Sequence, residues 1–373
     1  MTFEIKEIST KKEMKRFARF PLDLYKNHPL YVPTLISDEI RSILDSPSME
    51  YCHRKIWIAC DEENKIIGRI VGIINPRANE LYKYKRVRFG WFDVVEDFSV
   101  AQALIRTVMD WAGGEGMTEI HGPLGYNTWN KQGMMVEGFE NLPQFNCLYN
   151  YPYYPEFLER MGFVKELDWL QYVMPAQQPV PDKVERIHQH ILKKYNLRLL
   201  KWRKYKDFKP YINDFFKMYN ESFMTVDNFI PLLPEEIDES LRFYIRLIRP
   251  DLSYFIIDEN NKVAAFSIAF PSMSRALQKA GGYLFPFGWF HLLKGYFFYK
   301  DIDLMMVGAH PQWKGKGLSS IHHYHTNKTA IRKKLRCAVT NPQLENNKAI
   351  EIWKEYERKL HTRRRCYIKS IHS

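Results

Sequence analysis

The stretch that decides the fold runs from Asp301 to Ser320 and reads DIDLMMVGAHPQWKGKGLSS. It predicts a short apolar strand, then a loop with Gly315 and Gly317, and then a helix that starts near Ser319. A loop that enters a helix leaves the first backbone N–H groups unpaired, and glycines let a ligand approach the backbone closely. The ligand that such a turn favours is a phosphate group.

The glycine spacing of this loop excludes two common phosphate loops. GxxxxGK[ST] and GxGxxG both require glycines that are absent here, and what remains is Gln312-x-x-Gly315-x-Gly317. This pattern resembles the pyrophosphate loop of the GNAT superfamily of acyl-CoA N-acyltransferases, Gln/Arg-x-x-Gly-x-Gly/Ala between a strand and a helix. A surface turn rich in glycine and lysine is the alternative interpretation of these six residues alone.

Length and composition predict two globular domains. The chain has 373 residues, more than the roughly 250–300 that one core usually reaches. A hydrophobic content of 45% and an aromatic content of 15% exclude disorder. The sequence shows no apolar run of about 18 residues and no signal-peptide core at its start. We therefore expect a cytoplasmic protein, with peripheral contact to the inner face of the membrane as a further expectation.

The net charge and the positions of cysteine and histidine limit the classes of partner and metal site that we expect. The formal net charge of +12 predicts an anionic partner, for which CoA, anionic lipid and nucleic acid all qualify. No nucleic-acid-binding module is recognisable, so we expect no nucleic-acid partner. Five cysteines without a CxxC pair predict free thiols. His322, His323 and His325 point to different sides of a predicted helix, so we expect no metal site.

Both halves of the chain show one order of elements, β-α-α-β-β-β-α-β-α-β, and both contain a hairpin turn of similar sequence, DEENK and DENNK. The GNAT superfamily has the same order, so the resemblance covers both halves. We predict an α/β fold (α+β, mixed sheet) with two tandem GNAT-like domains. Their predicted ranges are 1–176, a linker with a bridging helix at 177–195, and 196–373.

Several segments of the first half resemble one particular family within the superfamily. GRIVGIINPRAN, FGWFDVVED and YNYPYYPEFLERMGF look like a bacterial tandem-GNAT family that is similar to the bacterial ceramide synthases, which acylate a sphingoid base from acyl-CoA. The first-half counterpart of the phosphate loop, VVEDFSVAQAL, has no glycine and carries Glu96 and Asp97, which would repel a pyrophosphate. We therefore expect acyl-CoA to bind only the second half, while the first shapes the acceptor site or serves as scaffold.

The resemblance assigns roles in the second half. An amine must lose a proton before it attacks a thioester, and Asp303, with Asp301 second, stands where the family carries its base; a salt-bridged strand end is the alternative. The family opens a bulge at the strand end, here 307–309. Trp353 occupies the position of the family's tyrosine acid, so Tyr356 is the substitute unless the thiolate leaves unassisted. The implied contacts to CoA are Val307, Gly308, Ala309, Gln312, Trp313, Lys314, Gly315, Lys316, Gly317, Leu318, Ser319 and Asn346.

Two further clusters bear on the acceptor. One gathers amide and aromatic side chains in the first half, as hydroxyl and amine recognition requires. It consists of Asn127, Trp129, Asn130, Asn150, Tyr153 and Tyr154. Stabilisation of the loop by side-chain to backbone bonds is the alternative. The other cluster, the aromatic segment 281–300, suits core packing, a lid over a long acyl chain, or contact with a membrane.

The predicted function is an acyl-CoA-dependent N-acyltransferase. It would transfer an acetyl or longer acyl group from acetyl-CoA, or from a longer acyl-CoA, to a small-molecule or lipid amine. A long-chain sphingoid-base N-acyltransferase and a non-catalytic acyl-CoA-binding protein are the alternatives.

Overall fold

The computed structural model describes residues 2–180, 182–224, 226–244, 247–347, 350, 353–354 and 356–372. They form two compact units. The first comprises Met1–Leu170, Ser274–Leu293 and Thr362–Ser373, and the second comprises Gln171–Met273 and Lys294–His361. In the described part of the chain, no helix is long and apolar enough to cross a membrane.

The first half of the chain follows the predicted order of elements. Its strands are β1 Phe3–Glu7, β2 His53–Asp61, β3 Ile66–Ile74, β4 Arg86–Val94, β5 Glu119–Gly122, β6 Met134–Glu137 and β7 Val164–Pro175. Its helices are α1 Lys11–Leu24, α2 Ile36–Leu44, α3 Pro76–Tyr82, α4 Phe98–Gly114 and α5 Tyr153–Arg160. Helix α1 begins at a capping box, in which Thr10 and Glu13 satisfy each other's backbone N–H groups.

The second half repeats this order with an insertion between its third and fourth strands. Its helices are α6 Asp182–Lys194, α7 Tyr205–Phe208, α8 Ile212–Phe223, α9 Pro234–Tyr244, α10 Ser274–Ala280, α11 Gly288–Phe297 and α12 Ser319–Lys333. Its strands are β8 Arg198–Leu199, β9 Tyr254–Ile257, β10 Val263–Pro271, β11 Asp301–Ala309, β12 Cys337–Thr340, β13 Gln343–Leu344 and β14 Lys359–Ser370.

The sheet of the first unit has the strand order β1-β2-β3-β4-β5-β14. Strands β4 and β5 are parallel, and β14 is antiparallel to β5, with Ile368 opposite His121. All nine residues of β3 are buried. Phe17 of α1 and Val71 of β3 belong to the apolar cluster on one face of the sheet, and Leu104 of α4 belongs to the cluster on the other face.

The sheet of the second unit has the strand order β7-β12-β11-β10-β9-β8. Strands β11 and β12 are parallel, and β7 is antiparallel to β12, with Met174 opposite Ala338. Helices α6 and α12 contribute Ile191 and Ile321 to one apolar cluster. On another part of the core, Phe215 of α8 packs edge to face on Phe266 of β10, with ring centroids 4.7 Å apart.

The compact units differ from the predicted contiguous domains 1–176 and 196–373. The physical reason is strand pairing: β7 ends in the sheet of the second unit, and β14 ends in the sheet of the first. In addition, the segment Ser274–Leu293 belongs to the first unit although it interrupts the second half of the sequence. The halves of the sequence therefore share one fold, but they are not the units in which the chain packs.

The helix that the sequence predicts for 346–356 falls partly outside the described residues. Lys348, Ala349, Glu351, Ile352 and Glu355 are not among them, and the described positions 350, 353 and 354 have 3₁₀ geometry.

Candidate functional site

The centre of the candidate site is the point where β11 and β12 separate. Their parallel register runs from Asp301 opposite Cys337 to Leu304 opposite Thr340. On its other side, β11 continues in antiparallel register with β10 as far as Ala309. Strand β11 therefore presents a backbone edge beyond Leu304.

The bulge in β11 lies earlier than predicted. The register with β10 shifts between Ile268 and Ala269, which face Met306 and Leu304, so Met305 is the extra residue. The prediction of a bulge at 307–309 is wrong, because these residues pair regularly with 265–267. A bulge re-aims the strand that contains it, and Met305 lies just where the pairing with β12 ends.

The backbone of Val307 faces the diverging side of β11. His310 N donates to Ala264 O at 2.9 Å, and hydrogen-bonded pairs alternate along an antiparallel ladder. Gly308 and Met306 therefore direct their backbone groups towards β10, whereas those of Val307 and Ala309 point the other way. Ser222 Oγ donates to Ala309 O at 2.9 Å. The N–H group of Val307 is thus positioned to donate to a bound group.

The phosphate-loop candidate has the backbone geometry that its glycines predict. Gly315 and Gly317 have φ values of +75° and +76°, in the left-handed region that favours glycine. Leu318 is the N-cap of α12 and supplies no side-chain hydrogen bond to the start of that helix. Ser320 N donates to Gly317 O at 3.0 Å and Ile321 N donates to Leu318 O at 3.1 Å, so the first turn is tight, and no N-cap side chain occupies the position that an anion would take.

The side chains of the loop supply positive charge. Lys314 and Lys316 are exposed, and Lys316 Nζ lies 4.5 Å from the centroid of the Trp313 ring. Gln312 is exposed, and its backbone N–H donates to His310 Nδ1 at 3.3 Å, within a 3₁₀ turn that spans Pro311–Trp313. Lys314, Gly315 and Lys316 are thus exposed before α12, whereas Leu318 is buried.

The first unit contains the same strand separation, but its own chain fills it. The parallel register of β4 and β5 ends at Arg88 opposite His121. Leu124 N then donates to Phe89 O at 2.8 Å, and a Cβ atom on Gly90 would lie 2.4 Å from Leu124 O. The segment after β5 therefore occupies the edge of β4 that corresponds to the edge that β11 presents.

The start of helix α4 is also occupied. Asp97 Oδ1 accepts from Ser99 N at 2.8 Å and from Val100 N at 3.3 Å. The hydrogen bond from the Ser99 side chain lowers the pKa of Asp97, and this effect is larger than that of burial, which raises the pKa. A carboxylate of the chain therefore occupies the start of α4, and the absence of CoA binding in this half stays a prediction.

The two candidate carboxylates on β11 have different surroundings. Asp303 is 1% exposed and lies two residues before the bulged Met305. Asp301 forms a two-point ion pair with Arg336, whose Nε donates to Asp301 Oδ1 at 2.9 Å. The salt-bridge alternative therefore fits Asp301, and Asp303 remains the candidate base.

The candidate acid Tyr356 and the predicted CoA contact Asn346 lie in different environments. Tyr356 is buried, with its ring stacked on His323 at 5.3 Å, and Trp353 Nε1 donates to Gln343 Oε1 at 3.0 Å. Asn346 is exposed, and its Nδ2 donates to Asp227 Oδ2 at 3.2 Å. Burial lowers the pKa of His323 to about 4, so this ring is neutral near pH 7.

The amide groups predicted to bind the acceptor are engaged by the loop itself. Asn150 Oδ1 accepts from Met135 N at 2.7 Å, and its Nδ2 donates to Met135 O at 3.1 Å. Asn127 accepts from Trp129 N at 2.9 Å and donates to Ser48 Oγ at 3.2 Å. Asn127 N donates to Asn130 Oδ1 at 3.2 Å. These bonds favour the alternative, stabilisation of the loop.

The predicted tyrosines are part of the core. Tyr153 OH donates to Val94 O at 2.7 Å, and the fully buried Tyr154 accepts from Val94 N at 2.8 Å. Burial raises the pKa of Tyr154 well above its ordinary value. These bonds hold α5 against β4, and the acceptor role of the two tyrosines stays a prediction.

Sequence reasoning missed a buried polar cluster in the first unit. His121 Nδ1 lies 3.1 Å from Glu166 Oε2, and Cys366 Sγ donates to the same oxygen at 3.2 Å. The three ligand-type atoms lie within 4.8 Å of one another, a spacing that could hold a metal ion. Arg86 NH1 donates to Glu166 Oε1 at 2.6 Å, so a cation already balances the carboxylate. Positions so far apart in sequence carry no local motif.

The fold and the sequence have recognisable relatives. No family model matches the chain. The Escherichia coli protein YghO is 24% identical over 294 residues, 78% of this chain and 73% of YghO. A bacterial ceramide synthase of Caulobacter vibrioides is 22% identical over 292 residues, 77% of this chain and 74% of that protein.

Solved structures match almost the whole chain. A tandem GNAT protein from the clavulanic acid biosynthesis pathway superposes with a TM-score of 0.59 at 11% identity, over 99% of both chains. A GCN5-related N-acetyltransferase from Sphaerobacter thermophilus gives a TM-score of 0.54 at 8% identity, over 99% of this chain and 96% of that one. The sequence prediction is confirmed: this chain has the tandem GNAT fold, a mixed α/β architecture with two GNAT-like halves.

Proposed function

We propose that the second unit binds acyl-CoA and transfers the acyl group to an amine. The observation that carries the proposal is the contrast between two equivalent helix starts. Asp97 caps α4, whereas no side chain caps α12, which follows two glycines with positive φ and two exposed lysines. An uncapped helix start with flanking positive charge suits a pyrophosphate. The tandem GNAT fold supports acyl-CoA as the donor.

The edge of β11 would position the thioester. The N–H of Val307 would donate to the thioester oxygen, and such a donor is worth about 2.7–4 kcal/mol to an oxyanion. Asp303, directly or through water, would take the proton from the amine, after which the C–N bond forms and the C–S bond breaks. Tyr356 would protonate the departing thiolate; unassisted departure is the alternative, since a thiol has a pKa of about 8.5.

Calorimetry with CoA tests the loop assignment. A Cβ atom on Gly315 would have no neighbour within 4 Å, so Gly315→Glu adds negative charge to the loop without a clash. Gly116 is a matched control, because its φ of +77° is similar and its surroundings are equally open. We expect Gly315→Glu to weaken CoA binding at least about tenfold through charge repulsion, and Gly116→Glu to leave it unchanged. Equal binding by both variants would exclude the loop.

Thiol release from acyl-CoA separates an enzyme from a binding protein. We expect release that depends on one or more members of an amine panel, whereas a non-catalytic binding protein releases none. Tyr356→Phe keeps the ring stacked on His323, so a fall in rate reports the loss of the hydroxyl group alone. A wild-type rate in this variant would assign Tyr356 to packing.

A narrower form of the proposal is transfer of a long acyl chain to a sphingoid base. Two observations favour it: a sequence relative is a bacterial ceramide synthase, and the segment 283–298 exposes many apolar side chains. A ligand that binds only the folded state raises the melting temperature by an amount that grows with the logarithm of its affinity. We expect a long-chain acyl-CoA to raise it more than acetyl-CoA at equal concentration. Equal shifts would contradict the long-chain form and leave the general proposal intact.

A further inference from the structure

The segment between β10 and β11 exposes a dense group of large apolar side chains. Its members are Tyr283, Leu284, Phe285, Phe287, Trp289, Phe290, Leu293, Phe297 and Phe298. Phe298 is 81% exposed, Phe285 76% and Phe287 69%. Other exposed large apolar side chains of the described residues are scattered along the sequence, such as Leu81 and Val164. A concentration of this kind marks an interaction surface, whereas single exposed apolar residues do not.

The tip of this segment, from Tyr283 to Trp289, has a defined backbone conformation. Trp289 N donates to Leu284 O at 2.9 Å, and Trp289 Nε1 donates to Pro286 O at the same distance. A Cβ atom on Gly288 would lie 1.9 Å from Tyr283 O, so the chain closes tightly on itself at a glycine. The phenylalanine rings of the tip therefore project from a closed turn.

The base of the segment is fixed to the first unit. Gln278 Nε2 donates to Pro29 O at 2.8 Å and to Tyr31 O at 3.1 Å. Ile36 N donates to Gly282 O at 2.9 Å. These bonds hold α10 and the following turn while the tip remains exposed. Insertion of the tip into another phase therefore requires no unfolding of its support.

Helix α11 carries its apolar side chains outwards. Trp289, Phe290, Leu293 and Phe297 are exposed, and at 100° per residue they fall within one arc of about 100°. Gly288, on the other side of the helix, is buried, and His291 and Leu292 are half-buried. The arrangement is the reverse of a helix that covers a protein core with its apolar face.

The charge within this stretch of sequence is of one sign. From residue 260 to residue 300 the sequence contains no aspartate or glutamate. The same stretch contains five basic residues, and Arg275, Lys279, Lys294 and Lys300 among them are exposed. Aromatic side chains flanked by lysine and arginine are favoured at the boundary between lipid headgroups and acyl chains, and the basic residues attract anionic lipid.

We propose that residues 283–298 dock the protein on an anionic phospholipid membrane. The aromatic tip and the outer face of α11 enter the headgroup region, and the four exposed cations contact lipid phosphates. Exposed aromatic side chains and exposed lysine and arginine in one segment without acidic residues are the properties of an interfacial segment. This proposal does not depend on the proposed function.

Vesicle flotation of the full chain tests the proposal. The probes are vesicles of phosphatidylcholine with and without phosphatidylglycerol, and no CoA or amine is present. Phe285→Ser with Phe287→Ser removes the tip, and Val164→Ser is the matched control, since Val164 is 62% exposed elsewhere on the first unit. We expect binding to the anionic vesicles, a loss of at least about tenfold in the tip variant, and no change in the control.

The contribution of charge has its own variant. Lys279→Glu with Lys294→Glu should weaken binding to the anionic vesicles about tenfold or more and change binding to neutral vesicles little. Lys12→Glu with Lys15→Glu, on the exposed side of α1, is the control with equal charge change. Failure of the wild type to bind either vesicle, or equal losses in variants and controls, would overturn the proposal. A dimer in light scattering that the tip variant abolishes would assign the surface to a second copy instead.

Discussion

Gly317 lies against Ile191: a Cβ atom on this glycine would come within 2.7 Å of Ile191 Cδ1. Helix α6 therefore supports the loop from behind, and the second glycine of the loop serves packing as well as backbone conformation. Gly315, with no neighbour within 4 Å, serves conformation alone.

Alanine substitutions separate these two effects. Gly315→Ala adds left-handed strain of about 1–2 kcal/mol, whereas Gly317→Ala adds the same strain and a contact with Ile191. We expect Gly317→Ala to weaken CoA binding more. Adding Ile191→Val removes the contacting Cδ1 atom and should restore part of the loss, measured by calorimetry. A double variant no better than Gly317→Ala would show that the contact does not set the loop geometry.

Asp303→Asn tests the candidate base. The amide is nearly isosteric but cannot accept the proton, so we expect amine-dependent transfer to fall by about 10²–10⁴ with CoA affinity unchanged. Asp301→Asn is the control on the same strand. It breaks the pair with Arg336, a residue whose side chain is 65% exposed, and should cost about 1 kcal/mol or less in stability. Full activity in Asp303→Asn, measured as thiol release, would exclude it as the base.

Arg69 is the centre of a buried network in the first unit. Its Nε donates to Asp93 Oδ2 at 2.8 Å, and its NH2 group donates to Glu39 Oε1 at 3.0 Å. Arg69→Met leaves Asp93 buried without its cation and should lower the free energy of unfolding by about 3–5 kcal/mol.

Urea denaturation measures this effect. Arg41→Met, in the exposed pair with Asp38, is the control and should cost about 1 kcal/mol or less. Equal losses in the two variants would show that burial does not amplify the Arg69 network.

His322 makes stability depend on pH. Burial, with smaller contributions from His323 and His325, lowers its pKa to about 3. The unfolded chain binds a proton below pH 6.5, the ordinary value, while the folded ring stays neutral down to about pH 3. The free energy of unfolding therefore has its full value above the unfolded pKa. It decreases as pH falls towards the folded pKa, by about 1.4 kcal/mol per pH unit for one such histidine.

His322→Leu should reduce the slope of unfolding free energy against pH below the unfolded pKa. His53→Leu, at an exposed position of β2, is the control and should leave the slope unchanged. Urea denaturation at several pH values gives the slope independently of any change in baseline stability. An unchanged slope in His322→Leu would mean that this ring takes up its proton in the folded state.

The loop and most helices and strands could be predicted from the sequence, because they depend on residues that are neighbours along the chain. Gly315 and Gly317 predicted a loop between a strand and a helix from a few residues alone. The bulge at Met305 could not be placed, because it depends on the register with β10, and the sequence does not state which residues face each other across a sheet.

The surroundings of the acceptor candidates could not be predicted for a similar reason. Asn150 and Tyr154 have the side chains that a binding site uses, but burial and backbone partners decide whether those groups are available. Their partners, Met135 and Val94, are distant in sequence. The ranges of the compact units also escaped prediction, because strand pairing assigns β7 and β14.

Because of the carboxylate of Asp97, the two copies of the duplicated fold differ in how the backbone N–H groups at the helix start find an acceptor. In the first unit the chain itself supplies the anion for the helix start and fills the strand edge with Leu124, so that copy is complete without a ligand. In the second unit the helix start begins at Leu318 without a side-chain acceptor. The first copy thus carries its own anion at the helix start, whereas the N-cap of the second copy is an apolar residue that cannot supply one.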